Sequence, residues 1–80
     1  RKRNGGETMD TVFDETAMRE LLIRKHKSIS GWASYLGISK VTLYRKMSGE
    51  SDFWRYEIKA TCEYVQEPSL DYIFFAKEVT

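Results

Sequence analysis

The side chains best suited to binding a partner lie near the middle of this 80-residue chain, within residues 39–48. A guanidinium such as that of Arg45 can donate two hydrogen bonds to a guanine edge, and Lys40 can reach a guanine or a phosphate. Val41, or the methyl group of Thr42, can contact a thymine methyl. Other side chains of this segment suit phosphates rather than base edges: Ser39, Tyr44, Lys46 and Ser48. The segment therefore predicts a helix that reads nucleic acid, or else an ordinary polar helix face.

Two short amphipathic helices joined by a glycine turn would position these side chains. Ser28 is a candidate N-cap for a helix over residues 29–36, and Gly37 can adopt the left-handed conformation that ends it. Ser39 can then cap a second helix over residues 40–47. This is the spacing of a helix-turn-helix, the unit that places its second helix in the major groove of DNA.

Three further helices are expected from the apolar spacing. They cover residues 14–26, residues 54–65 and a short stretch that begins at residues 68–71, with residues 75–80 as a tail. The apolar side chains expected to face inward recur at three- and four-residue steps: Met18, Leu21, Leu22, Trp32, Leu36, Leu43, Met47, Ile58, Cys62, Val65, Leu70, Ile73 and Phe74. The predicted fold class is all-α, with five helices in a single domain over residues 9–80. Residues 1–8, which lack periodicity, are expected to be a disordered linker or vector remnant.

Composition limits the functional classes. No apolar run approaches the ~18–20 residues that a membrane-spanning helix needs, so no membrane contact is expected. The single Cys62 cannot form an internal disulfide, which favours a reducing, cytoplasmic setting. One histidine, no glycine-rich phosphate loop and no metal-ligand spacing predict neither an enzyme nor a cofactor or metal site.

Charge is distributed unevenly along the chain, although the net charge is only +1. Residues 19–49 hold seven basic side chains against one acid, or +6, and residues 50–80 hold three against seven, or −4. The basic part coincides with the predicted helix-turn-helix. This overlap favours a polyanionic partner, and the alternative is a set of ordinary solvated helix faces.

An aromatic cluster marks the start of the fourth predicted helix. Phe53, Trp54 and Tyr56 cannot all be buried in so small a domain, and Arg55 lies between them. Exposed aromatic side chains beside arginine are typical of protein interfaces, so these three aromatics are candidate partner-binding residues. The alternative for Trp54 is packing as a hydrophobic staple against a neighbouring helix.

The segment Leu-Gly-Ile-Ser-Lys-Val-Thr-Leu-Tyr-Arg-Lys-Met-Ser-Gly at residues 36–49 resembles the lambda-repressor-like, Cro-type helix-turn-helix family. The likeness covers about residues 17–75 and includes three later stretches: residues 51–53, 57–58 and 70–75. Within the family, the chain is most similar to small phage regulators of Gram-positive bacteria, including modulators of repression from a lactococcal temperate-phage switch. This resemblance implies five short helices, of which the third is the recognition helix.

The resemblance implies two alternative functions in a lysis–lysogeny switch of a bacterial host. The first is a modulator or antirepressor that binds the helix-turn-helix domain of a phage repressor, with or without DNA. The second is a Cro-like operator-binding repressor, a weak homodimer that reads DNA through the third helix. Ile29 stands where DNA-binding members of the family have a glutamine that grips phosphate. This apolar residue favours the first function and is a further candidate for partner binding.

Overall fold

The computed structural model describes residues 11–77, which form five helices and one two-stranded sheet. In chain order the elements are β1 (Thr11–Val12), α1 (Glu15–Arg24), α2 (Ile29–Leu36), α3 (Lys40–Met47), α4 (Arg55–Val65), α5 (Asp71–Phe74) and β2 (Ala76–Lys77). Within this range, no helix has the length and apolarity needed to cross a membrane. The expected linker at residues 1–8 and the last three residues of the expected tail lie outside the described range.

The predicted bounds of α2 and α3 are confirmed, and so are their caps. The Gly31 N–H donates to Ser28 Oγ at 2.9 Å, and the Thr42 N–H donates to Ser39 Oγ at 3.1 Å. Gly37 ends α2 with φ of 76°, a left-handed conformation that costs glycine little because it has no Cβ. Three residues therefore separate two helices whose ends are each defined by local hydrogen bonds.

The helix α1 is shorter than predicted at both ends. Asp14 lies before the helix, where its carboxylate accepts a hydrogen bond from the Ala17 N–H at 3.0 Å. The helix ends at Arg24, because His26 adopts a left-handed φ of 58° and the Lys27 N–H turns back to the Leu22 carbonyl at 2.8 Å. Local hydrogen bonds at both termini thus make the helix shorter than the apolar pattern predicted.

A short sheet adds two strands to a mostly helical fold, which is compatible with the all-α prediction. β1 and β2 pair in antiparallel fashion, with Thr11 opposite Lys77 and Val12 opposite Ala76. The stretch expected to be a tail therefore begins with a strand. Strands of two residues are too short to show the alternating pattern by which a sequence signals a strand.

The core forms between all five helices, and most of the predicted inward residues are buried. They are Met18, Leu21, Leu22, Trp32, Leu36, Leu43, Met47, Val65, Leu70, Ile73 and Phe74. On α4 the prediction was wrong in part, because the buried face is formed by Glu57, Thr61 and Val65. Ile58 and Cys62 lie beside this face and are half-buried.

Gly31 is needed on α2 because the Tyr64 hydroxyl of α4 occupies the place of its missing side chain. A Cβ at this position would overlap Tyr64 Oη and would lie 3.2 Å from Ser28 Oγ. The Tyr64 ring packs on Tyr35 with a centroid separation of 4.9 Å, and Lys27 Nζ lies 4.8 Å from its centre. Moving Tyr64 would therefore disturb two further contacts.

Replacing a helical glycine by alanine normally raises the free energy of unfolding by up to about 1 kcal/mol. We expect Gly31→Ala not to show this increase. In a Tyr64→Phe background the gain should return, because the overlapping hydroxyl is absent. The free energies of unfolding of the four proteins in this cycle, measured in urea, test the expectation. Equal effects of Gly31→Ala in both backgrounds would show that the hydroxyl does not constrain this position.

Candidate functional site

The exposed surface of α3 is formed by side chains three or four residues apart, which share one side of the helix. We call this surface the α3 outer face; its members are Lys40, Val41, Tyr44, Arg45 and Ser48. Val41 is 59% exposed and Tyr44 is 42% exposed, whereas Leu43 and Met47 are buried on the opposite side. A cationic, apolar and aromatic surface is thus held outward by a helix anchored on its other side.

The hydroxyl groups of this region mainly organise the backbone. Ser39 Oγ caps α3 and also donates a hydrogen bond to Thr42 Oγ1 at 3.0 Å. Ser48 Oγ donates to the Arg45 carbonyl at 3.0 Å at the other end of the helix. Ser39 is exposed and Thr42 is half-buried, and both border the α3 outer face, to which the exposed Ser48 belongs.

Lys46 was predicted to hold a phosphate, and its position contradicts that role. Its side chain is buried, and Nζ lies 3.1 Å from Glu57 Oε1 and donates to the Asp52 carbonyl at 2.9 Å. The same Glu57 oxygen accepts the Trp54 N–H at 2.8 Å at the start of α4. Lys46 therefore faces inward and ties α3 to α4, because an ammonium out of water needs an anionic partner.

Most of the cations counted in residues 19–49 are used within the fold. Arg19 pairs with Glu15 at 2.7 Å, and Lys25 pairs with Glu67 at 2.9 Å. Together with Lys27 on the Tyr64 ring and Lys46 on Glu57, four of the seven cations are engaged. Ion pairs thus offset three of the seven positive charges of this segment, whereas Lys27 keeps its charge beside the ring.

Arg45 is the cation of the α3 outer face that has an acidic neighbour. Its Nε lies 4.0 Å from Glu50 Oε1, and both side chains are largely in water. An exposed pair at this distance contributes little to stability, so the guanidinium stays available for another contact. Lys40 is exposed, and its ammonium group forms no ion pair or hydrogen bond with another of residues 11–77.

The aromatic residues at the start of α4 separate into a packed one and two exposed ones. Phe53 is half-buried, and its ring centre lies 4.9 Å from those of Phe13 and Phe74 and 5.8 Å from that of Trp32. Phe53 therefore completes an aromatic cluster, and its role as a candidate for partner binding stays a prediction.

Trp54 and Tyr56 form the exposed part of the same region. Trp54 is 63% exposed, and its ring meets that of Tyr56 edge-on with a centroid separation of 6.0 Å. Ile29, the remaining candidate for partner binding, is half-buried and packs against the core. The exposed aromatic pair thus keeps the geometry expected of an interface anchor, whereas Ile29 has a packing role that its sequence position did not suggest.

An open apolar groove along α4 was not anticipated from the sequence. It has a volume of about 540 Å³, and we call it the α4 groove; it is lined by Phe53, Arg55, Ile58, Lys59, Cys62, Pro68 and Phe75. Burial raises the pKa of the Cys62 thiol, which therefore stays neutral and adds to the apolar lining. The four-residue spacings of Arg55 with Lys59 and of Ile58 with Cys62 were local signals that these side chains share one side of α4.

No protein-family model, curated protein or solved structure matches this chain. Among residues 11–77, no group of three or more histidine, cysteine or acidic side chains is placed to hold a metal ion. Function is therefore inferred from the α3 outer face, the exposed aromatic pair, the α4 groove and the charges around them.

Proposed function

We propose that this chain is a transcription regulator of the helix-turn-helix class, with α2 and α3 as the motif. It acts as a modulator, or antirepressor, in a phage-type lysis–lysogeny switch in the cytoplasm of a bacterial host. Its partner is the DNA-binding domain of a repressor, which it binds with or without DNA. The resemblance of residues 36–49 to the lambda-repressor-like family supplies the biological context of this proposal.

The observation that carries the proposal is the composition of the α3 outer face. Val41 and Tyr44 expose apolar and aromatic surface between the cations Lys40 and Arg45. Tyrosine and arginine are enriched at protein interfaces and often dominate their binding energy. Trp54 and Tyr56 extend the set of exposed aromatic anchors to the start of α4.

The distribution of free charge also supports a protein partner over DNA alone. DNA affinity rises with the number of phosphates that basic side chains neutralise. On α3, Lys46 is committed to Glu57, so Lys40 and Arg45 are the cations that this helix can present. Two cations on the presenting helix suit a contact with a protein surface better than tight, autonomous binding to operator DNA.

The alternative is a Cro-like repressor, a weak homodimer that reads its operator directly through α3. It is favoured by the exposure of Lys40 and by the loose contact between Arg45 and Glu50, which leaves a guanidinium free for a guanine edge. In that case Val41 would contact a thymine methyl, and Ser39, Tyr44 and Ser48 would contact phosphates.

A mobility-shift experiment separates the two functions. The repressor is the one encoded in the same genome as this chain, and the DNA is the operator that this repressor binds. The DNA is incubated with this protein alone, with the repressor alone, and with both. The modulator predicts no shift with this protein alone and a lost or altered repressor shift when both are present. A specific shift with this protein alone, weakened steeply by salt, would favour the Cro-like alternative instead.

Substitutions on the α3 outer face should weaken the complex selectively. We expect Tyr44→Ala to reduce affinity for the repressor domain by about tenfold or more, since it removes a candidate aromatic anchor. Arg24→Ala, an exposed arginine on α1, is the matched control and should change affinity by less than about twofold. Calorimetry measures both values.

Arg45→Ala completes the comparison. Direct DNA reading predicts a loss of about 1–3 kcal/mol that is confined to particular operator positions. If Tyr44→Ala and Arg45→Ala both leave repressor binding and DNA binding unchanged, the α3 outer face is not the recognition surface.

A further inference from the structure

The α4 groove combines an apolar floor with two cations, both on α4. Ile58, Cys62 and Pro68 contribute carbon-rich or neutral surface, and Phe75, which is 50% exposed, stands at one side. Arg55 and Lys59 are four residues apart on α4, so they lie one above the other along the groove. No acidic side chain belongs to the lining.

These two cations have no anionic partner among the described residues, although acids are plentiful nearby. Residues 50–77 include six acidic side chains, and Glu63 is one helical turn beyond Lys59. The ion pairs among residues 11–77 nevertheless join other groups and leave Arg55 and Lys59 unpaired. The groove is thus an apolar surface with two unpaired cations in its lining, and the acids nearest to Cys62, which help to raise its pKa, are Glu63, Glu67 and Asp71.

We propose that the α4 groove docks an acidic amphipathic helix of a partner protein. The apolar side chains of that helix would cover Ile58, Cys62 and Phe75, and its carboxylates would pair with Arg55 and Lys59. An amphipathic helix that lays its apolar face in a hydrophobic groove is a recurrent mode of peptide recognition. The groove is largely open to solvent, which suits a helix better than an enclosed small molecule.

The charges argue against a second copy of this chain as the occupant. A two-fold interface brings the same surface of both subunits together. With the two-fold axis between them, Arg55 of one copy would face Lys59 of the other, and like charges across an interface are unfavourable. An acidic helix satisfies both cations while it covers the same apolar floor. The proposal is independent of the α3 outer face and does not require the function proposed above.

Cys62 allows the groove to be tested in the unaltered protein, because it is the chain's single cysteine. The probes are synthetic helical peptides with leucine at positions i, i+3, i+4 and i+7 and glutamate on the flanking positions, in two registers. Counterparts with lysine in place of glutamate serve as controls. The readout is the rate at which iodoacetamide alkylates Cys62, measured at alkaline pH because burial raises the pKa of this thiol and the thiolate is the reactive form.

We expect the glutamate peptides to slow alkylation in a concentration-dependent manner, and the lysine peptides to bind about tenfold more weakly or worse. The double variant Arg55→Glu/Lys59→Glu should reverse this preference. The control Arg19→Glu/Arg24→Glu makes the same charge change on the exposed side of α1 and should preserve it. Circular dichroism verifies that each variant is folded.

Several outcomes would overturn the proposal. They are the absence of protection by every glutamate peptide, equal protection by both charge types, and a preference that survives the double reversal. Protection that rises with protein concentration alone, together with a dimer in sedimentation, would identify a second copy as the occupant. Because the readout is at Cys62 and not on α3, failure here leaves the repressor-binding proposal standing.

Discussion

Replacing Lys46 by methionine is expected to lower the free energy of unfolding by about 3–5 kcal/mol, a large part of the stability of so small a domain. The substitution keeps most of the side-chain volume but leaves the Glu57 carboxylate, which is 2% exposed, without its cation. It also leaves the Asp52 carbonyl without the donor that lies 2.9 Å away. A buried charge without a partner is costly because neither water nor a counter-ion stabilises it.

Two comparisons isolate the buried ion pair in this prediction. Lys40→Met makes the same change at an exposed position of the same helix and should alter stability by less than about 0.5 kcal/mol. Adding Glu57→Gln to Lys46→Met removes the orphaned charge but keeps an oxygen for the Trp54 N–H, so it should restore part of the loss. Urea unfolding followed by circular dichroism measures all four proteins. A loss as small for Lys46→Met as for Lys40→Met would mean that the pair does not hold α3 to α4.

Replacing Trp32 by alanine is expected to cost about 3–5 kcal/mol, which is typical when a large aromatic side chain is removed from a core. Trp32 is fully buried, and its ring stacks on Phe53 at a centroid separation of 5.8 Å. Its indole Nε1 donates to Thr61 Oγ1 at 2.9 Å, and that hydroxyl donates to the Glu57 carbonyl at 2.7 Å. The side chain thus joins α2 to α4 through both its ring and its polar atom.

The chain contains a matched control for this substitution. Trp54→Ala removes the same side chain from a position that is 63% exposed and should change stability by no more than about 0.5 kcal/mol. Thr61→Val removes the hydrogen bond but keeps the packing of the ring. It should lower the free energy of unfolding by about 1–3 kcal/mol, because the indole N–H is left without an acceptor. This loss should be smaller in a Trp32→Phe background, which has no indole N–H. Chemical unfolding followed by far-ultraviolet circular dichroism avoids relying on tryptophan fluorescence. Similar losses for Trp32→Ala and Trp54→Ala would contradict the assignment of Trp32 to the core.

The elements around α2 and α3 could be predicted in detail because the rules that define them act over a few residues. Ser28, Gly37 and Ser39 set the helix ends through hydrogen bonds or dihedral angles within three or four positions. The exposure of Val41 and Arg45 likewise follows from helical periodicity once Leu43 is buried. Each of these features depends only on residues a few positions away in the sequence, so it does not depend on the rest of the fold.

The positions of Lys46, Phe53 and the short sheet depend on surroundings that come from other parts of the chain. The position of Lys46 in α3 does not by itself predict burial. Lys46 is an internal cation because the folded chain places Glu57 and the Asp52 carbonyl beside it. Phe53 is covered because Phe13 and Phe74 meet beside it. The sheet requires residues 11–12 to lie beside residues 76–77, across nearly the whole described segment.

Short-range patterns in the sequence thus determine most helix ends, most of the core and the outward side of α3. The packing of distant segments sets which cations remain free, which aromatics stay exposed, and where the α4 groove opens. The physical reason is that capping and periodicity depend on neighbours a few residues away. The cost of burying a charge and the shape of a groove depend instead on side chains that only the folded chain brings together.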